Sequence, residues 1–321
     1  MKSKLYSILV IAVLSCQFLL IFIYSKDVMD SITFSISIWK DNLLPSMFPF
    51  FLMSELLIEY GFIDFLSVIF GNLVEKVFHL PKEASFAIFT SLFSGFPSGS
   101  KYTKDLLERN LITERNANHL IMFTHYSNPM FIVSTIGVLL LSDKKIGFLI
   151  LFTHIISNIM IGIMFRNKTY IRSNKRNKNI IDVLNKKAKA RKSFITILSS
   201  AIIKSFTILV NMLGIIMFFL IITTLINKVI YMPPLIRGIA NGILEMTQGI
   251  KYISGLTFIT LKAKATIISF LVSFSGISVH FQVKNIIEGT AINYKNFLIA
   301  RIVHCLLCSL FTYLLFDLLI H

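Results

Sequence analysis

Acidic residues are the scarcest feature of this chain relative to its length. Of 321 residues only 16 are Asp or Glu, against 32 Lys and Arg, and the two signs together make 15% of the chain, where a soluble domain carries roughly 25%. A soluble globular fold and a disordered chain are both excluded, because 55% of the residues are hydrophobic and the mean hydropathy is +0.75. Cysteine is equally sparse. Cys16, Cys305 and Cys308 are three in number and lie inside apolar runs, so no disulfide framework is available. Cys305 and Cys308 share a helical face, where small-group packing outweighs a metal or redox pair.

Catalytic signatures are missing too. There is no His-Glu-x-x-His, no Ser-x-x-Lys with a plausible partner set, no phosphate loop and no cluster of metal ligands. Ser100 with His280 is the one imaginable dyad for intramembrane proteolysis, and it is a poor one. The expectation is a protein that is not an enzyme and holds neither metal nor cofactor.

What is present is a series of long apolar runs. Leu5 to Tyr24 is uncharged and long enough to cross a hydrocarbon core of about 30 Å. Val13-Leu14-Ser15-Cys16 faintly resembles a lipoprotein cleavage site, but the run continues past it and reads as a retained helix. A second span, Asn42 to Tyr60, contains Pro45, Pro49, Glu55 and Glu59, and acids inside a span need a reason. Residues 61–82 alternate apolar and charged groups, as an interfacial helix does.

Ala84 to Phe96 is apolar but too short to span, and it ends in Gly95-Phe96-Pro97-Ser98-Gly99-Ser100-Lys101 before a polar helix from Tyr102 to Asn110. This predicts a re-entrant hairpin. Helical periodicity from Thr113 meets His125-Tyr126-Ser127-Asn128-Pro129 in mid-span, predicting a discontinuous helix to Leu141. Further spans run from Gly147 to Phe165 and from about Phe297 to Ile320.

Residues 166–192 hold eleven Lys or Arg against Asp182 alone. Such a stretch marks the cytoplasmic side, and the basic balance then needs no nucleic acid. Counting back places the weakly acidic loop at 25–41 outside, and the interfacial helix and hairpin mouth inside. Six crossings and two hairpins return the C-terminus inside. Against this, Lys228, Arg237, Lys251, Lys262, Lys264, Lys284 and Lys295 fall in parts of the second half assigned to the outside.

The second half restates the first. Phe93-Ser94-Gly95-Phe96 compares with Phe274-Ser275-Gly276-Ile277, and Gly71-Asn72-Leu73-Val74-Glu75 with Gly242-Ile243-Leu244-Glu245, in the same order. One unit begins outside and the other inside, so the units are inverted. The expected fold is an all-α polytopic membrane protein of two inverted-topology repeats, each with a re-entrant helical hairpin and broken helices. Its parts are an N-terminal transmembrane helix at 1–30, a first repeat at 31–165, the basic loop at 166–192 and a second repeat at 193–321.

Candidate ligand groups cluster at the two expected tips, Gly95 to Lys101 and Ser275 to Gln282. Ser98, Gly99, Ser100 and Lys101 offer amides, hydroxyls and a cation to an anion; the alternative is a tight turn whose lysine snorkels. Ser275, Gly276, Ser278, His280 and Gln282 form the second set, in which His280 either meets an anion or satisfies a neighbouring carbonyl. Arg301, on one face with His304, is either functional or paired with Glu245. Asn128 and Pro129 either line the site or only kink the helix. The partners expected are the lipid bilayer and a small anionic substrate, with the oligomeric state open between monomer and homo-oligomer.

Ser94-Gly95-Phe96-Pro97-Ser98-Gly99-Ser100-Lys101, Ser127-Asn128-Pro129-Met130-Phe131-Ile132, Glu245-Met246-Thr247-Gln248-Gly249, Phe274 to Gln282 and Ala300-Arg301-Ile302-Val303-His304 together resemble the sporulation integral membrane protein family YlbJ. The resemblance runs from about residue 30 to 320. It implies a nucleoside recognition or gate domain, similar in hairpin-plus-broken-helix design to concentrative nucleoside transporters. It also implies a mother-cell protein that moves dipicolinate, a small aromatic dianion, across the outer forespore membrane and is needed for resistant spores. The class rival is a non-transporting sporulation scaffold or partner subunit. Here His125-Tyr126-Ser127 stands before Asn128, where the family pattern favours Asn, Ser or Gly beside the asparagine.

Overall fold

A computed structural model describes residues 2–167 and 193–320, and every regular element among them is helical. The basic stretch at 168–192, read above as the topological marker, lies outside the described residues. Five helical stretches are long and apolar enough to cross a membrane: Tyr6–Ile23, Lys144–Met164, Phe194–Val229, Leu261–Ile287 and Tyr294–Leu319. The protein is an all-α integral membrane protein.

Helix α1 (Lys2–Ile23) passes at Tyr24 into α2 (Ser25–Ile38), and a π-helical turn, Trp39–Leu43, joins α2 to α3 (Leu44–Glu59). The expected outside loop at 25–41 is therefore helix. Its serines explain why: Ser31 and Ser35 bond back to the carbonyls of Asp27 and Ser31, so polar side chains are satisfied without leaving the helix. Residues 25–59 form one rod of about 50 Å at 1.5 Å per residue.

Helix α9 (Phe194–Val229) lies antiparallel along that rod, one residue longer than it. Lys228 pairs with Asp27 at 2.7 Å, Ser31 meets Thr224 at 2.6 Å, Trp39 donates to the Leu209 carbonyl at 2.8 Å, and Lys204 reaches Glu55 at 3.3 Å. Met47, Phe51, Leu209 and Met212 bury the seam between them. Helix α1, by contrast, leaves Ile8, Leu9, Phe18 and Phe22 exposed, as lipid would receive them.

At Tyr60-Gly61 the chain bends by 92° into α4 (Phe62–Phe78), with Gly61 at a φ of 94° that favours glycine. Helices α5 (Ala84–Ser94) and α6 (Ser98–Glu108) then fold back on each other about Gly95-Phe96-Pro97. The fold-back falls in the segment for which the sequence predicts a re-entrant hairpin. Helix α7 (Glu114–Phe123), capped by Thr113, ends at a non-helical break over 124–128, and a π-helical segment, Phe131–Leu140, continues it before α8 (Lys144–Met164) returns.

Contacts between charged and polar ends fix the chain's course. Arg109 pairs with Glu59 at 3.1 Å, Arg115 donates to Asn167 at 2.7 Å and Arg166 to the Val77 carbonyl at 3.2 Å, so α3, α6, α7 and α8 all meet at the end where the basic stretch begins. We call this the basic end. The α5–α6 hairpin opens there.

The second half is built from α10 (Pro234–Leu244), α11 (Met246–Ser254), α12 (Leu261–Phe274), α13 (Gly276–Ile287) and α14 (Tyr294–Leu319). Its hairpin is not the expected one. Lys262 pairs with Asp317 near the end of α14, whereas Lys104 donates to the Ile286 carbonyl and Asn118 receives the Asn293 amide at its start. Because α14 is about 39 Å long, α12 and α13 traverse that length instead of folding back, and Leu261–Ile287 is a broken span.

The fold-back is formed by α10 and α11, whose tip is Glu245. There a methyl on Gly249 would overlap the Gly242 backbone, so two glycines let the arms touch. This course corrects two expectations. Residues 286–296 join the basic end, which brings Lys284 and Lys295 to the side that the charge rule prefers, and α14 finishes at the opposite end.

Candidate functional site

Four interruptions of helical backbone meet in the middle of the molecule. Each interruption frees carbonyls or amides that lipid cannot solvate, so each must find a partner inside the protein. Gly95, at a φ of 74°, lies against Asn128, and Gly99 lies so close to the Thr124 carbonyl that no β-carbon would fit. The hairpin tip and the α7 break therefore cross. Asn128 ties them further, donating to the Phe93 carbonyl at 3.4 Å and accepting the Met130 amide at 2.8 Å. Pro129 follows and carries no amide to satisfy.

The second crossing repeats this with different residues. Gly276, at a φ of 70°, packs on the Met246 amide and the Gly242 carbonyl at the α10–α11 tip. Glu245, buried, accepts the Gln248 amide at 3.1 Å and the Thr247 hydroxyl, which makes it the N-cap of α11. Its expected pairing with Arg301 is not formed.

Arg301 is instead the centre of the junction. Fully buried on α14, it donates to the Met122 carbonyl at 2.5 Å, the His125 carbonyl at 3.4 Å, Asn158 Oδ1 at 3.1 Å and His304 Nδ1 at 2.8 Å. Two of these are the carbonyls orphaned where α7 stops. No carboxylate pairs with Arg301 among the described residues. The guanidinium is balanced by the negative end of a broken helix.

Histidines complete the lattice. His304 accepts from Arg301 and donates from Nε2 to the His154 carbonyl at 3.0 Å; His154 accepts the Ser127 amide at 3.0 Å and donates to Ser273 at 3.0 Å. One nitrogen of each ring accepts, so both rings are neutral. His125 Nε2 lies 2.9 Å from the Ser275 hydroxyl, which joins the two crossings directly. His280 donates to the Phe274 carbonyl at 2.9 Å and accepts Tyr294 at 2.8 Å, so both its nitrogens are engaged by the protein.

Lys101 sits apart from this lattice. Its ammonium pairs with Glu55 and, at 3.1 Å, with Asp105, while Lys204 takes the second oxygen of Glu55 at 3.3 Å. Ser98 and Ser100 turn their hydroxyls back to the carbonyls of Gly95 and Pro97. The first set of candidates is thus spent largely on holding its own turn. In the second set, Ser278 Oγ and Gln282 Oε1 are buried without a hydrogen-bond partner, as are His125 Nδ1 and Arg301 Nε in the lattice. Pro97, Asn211, Gln282 and Asn285 line a cavity of about 40 Å³ between the crossings and α9, room for about one water.

Several participants carry little signal in the sequence. Asn158, His154 and Ser273 are single polar residues in apolar helices, and nothing in their spacing names their partners. Glu55 and Lys101 were both legible as intramembrane charges of opposite sign, and pairing them was the available inference.

Comparison with known proteins gives two matches. The Gate family, described as nucleoside recognition, matches residues 42–144, from the last residues before α3 to the start of α8. The sporulation integral membrane protein YlbJ of Bacillus subtilis (strain 168) is 30% identical over 310 residues, covering 88% of this chain and 76% of that one. No solved structure matches.

Proposed function

Because this chain belongs to the YlbJ family of sporulation integral membrane proteins, we propose that it is a permease for a small anion, dipicolinate, working in the outer forespore membrane from the mother-cell side. One observation carries the reading: two hairpins that enter from opposite ends of the molecule each pack their tip on a broken helix, and one of those breaks is held by a buried guanidinium that pairs with no carboxylate among the described residues. Alternating access needs two units that rock about a fixed central site. The units here are α5–α6, the broken α7 span and α8, against α10–α11, the broken α12–α13 span and α14. They follow one another in the same order and in opposite directions, the arrangement of an inverted repeat.

Dipicolinate suits such a centre because it is small, planar and twice negative, and a guanidinium binds a carboxylate through paired N–H groups. Arg301 already gives its donors to Met122, His125, Asn158 and His304. A substrate would exchange with those carbonyls as the two crossings part. The cavity of about 40 Å³ beside the crossings is smaller than such a substrate, so the crossings must part to admit it.

The test is flux. Purified protein in liposomes should carry labelled dipicolinate above the rate of empty vesicles. Absence of flux for dipicolinate and for other small anions alike sinks the permease reading and leaves the scaffold role. Cysteine labelling supplies the orientation: residue 115 should be accessible from the cytoplasmic side and residue 228 from the other.

A further inference from the structure

A second polar cavity lies away from the crossings, at the basic end. Its volume is about 520 Å³, within the range of small-molecule sites. The walls are one face of α7, the end of α8 and the start of α14, contributing among others Arg115, His119, Met122, Arg166 and Asn296. Both guanidiniums are exposed, and among the described residues no acidic one lines the space.

Each arginine is positioned but not neutralised. Arg115 gives one donor to Asn167, and Arg166 gives one to the Val77 carbonyl. Neither forms an ion pair among the described residues. The wall behind them is rigid, since Asn118 bridges α7 to the Ala291 carbonyl at 3.2 Å, the Asn293 amide at 2.7 Å and the Asn296 side chain at 3.1 Å. His119 is held against the Gly162 carbonyl at 2.8 Å.

The floor is Met122, whose carbonyl is the 2.5 Å acceptor of Arg301. One residue of α7 therefore separates this cavity from the central guanidinium. We propose that Arg115 and Arg166 form a docking site for a soluble oxyanion carrying two negative charges, at the mouth that leads to the crossings. Two separate guanidiniums match two charges better than one, and a cavity rather than a flat basic surface selects a small ligand. The docking itself is independent of transport; its place on a transport path rests on the permease reading.

The experiment uses the full chain in nanodiscs of phosphatidylcholine and measures equilibrium binding of dipicolinate and of picolinate, which lacks one carboxylate. Dipicolinate should bind at least about tenfold more tightly, and Arg115→Gln and Arg166→Gln should each weaken it about tenfold, as loss of a charge-assisted contact does. Arg115→Lys, which keeps charge but not the planar fork, should fall between. In liposomes the same substitutions should raise the concentration for half-maximal flux. Unchanged dipicolinate binding in the double variant overturns the site. So does a double variant that binds dipicolinate as wild type does but, in a parallel set of nanodiscs containing phosphatidylglycerol, loses its retention of that lipid, which would make the cavity a headgroup site. Arginine-dependent binding without flux would leave the docking site standing and remove the permease reading.

Discussion

Lys101 and Arg301 are both cations drawn into the middle of a membrane protein, and they are held in opposite ways. Lys101 is surrounded by charge: Glu55, Asp105 and, through Glu55, Lys204. Arg301 is surrounded by neutral dipoles: two carbonyls, an amide oxygen and an imidazole nitrogen. A carboxylate partner neutralises its cation completely and leaves little attraction for a third charge. Carbonyls satisfy hydrogen-bond geometry but leave the net charge in place, so Arg301 retains a field that an anion feels.

This difference has measurable consequences, the largest at Arg301. Arg301→Ala should destabilise the protein by about 3–5 kcal/mol in reversible unfolding, because four buried acceptors lose their donor together. Arg301→Lys should recover part of the stability and little of the flux, since an ammonium cannot reach two helix-end carbonyls and Asn158 at once. Flux equal to wild type in Arg301→Lys would break the comparison and make Arg301 a simple counter-charge.

The next effect belongs to the ion pair. Glu55→Gln should cost about 2 kcal/mol, less than a fully buried pair, because Asp105 remains beside Lys101. Adding Lys101→Met to it should restore most of that loss, as removing both partners leaves no uncompensated charge. A double variant as unstable as the single would mean that Lys101 contributes by something other than its pairing with Glu55. Smaller still is Lys204→Ala, expected to cost under about 1 kcal/mol since that side chain is 54% exposed. Lys228→Ala, at the other end of the same helix pair, should change stability by about 0.5 kcal/mol or less and diminish further in salt.

The two Phe-Ser-Gly strings teach the limits of reading such a chain without its fold. At 93–95 the string starts a hairpin tip; at 274–276 it kinks a span that continues. Glycine permits a left-handed residue in both places, so the local sequence is satisfied either way. What differs lies downstream. After Gly95 come Pro97 and the charged arm Lys101 to Glu108, which must return to the basic end, whereas Gly276 is followed by an arm apolar enough to go on through.

The true second tip, at Glu245, stood out in the sequence as a motif, as a possible partner of Arg301 and as one half of an internal similarity, but not as a turn. Its partner in that similarity, Glu75, sits within α4, not at a turn. Gly242 and Gly249 are the signal that now explains it, because they allow antiparallel contact that no larger residue would.

The sequence by itself determined that this protein lives in a membrane, that its first hairpin turns at Gly95 to Pro97 and that its helix breaks at Asn128-Pro129. Long uncharged runs, a segment too short to span, and proline in mid-helix each have one physical outcome in lipid. Tertiary structure decided which cation is neutralised, which break reverses the chain, and that four interruptions meet at one point. Those outcomes depend on which orphaned backbone group finds which side chain, a choice among partners far apart in sequence that only packing makes.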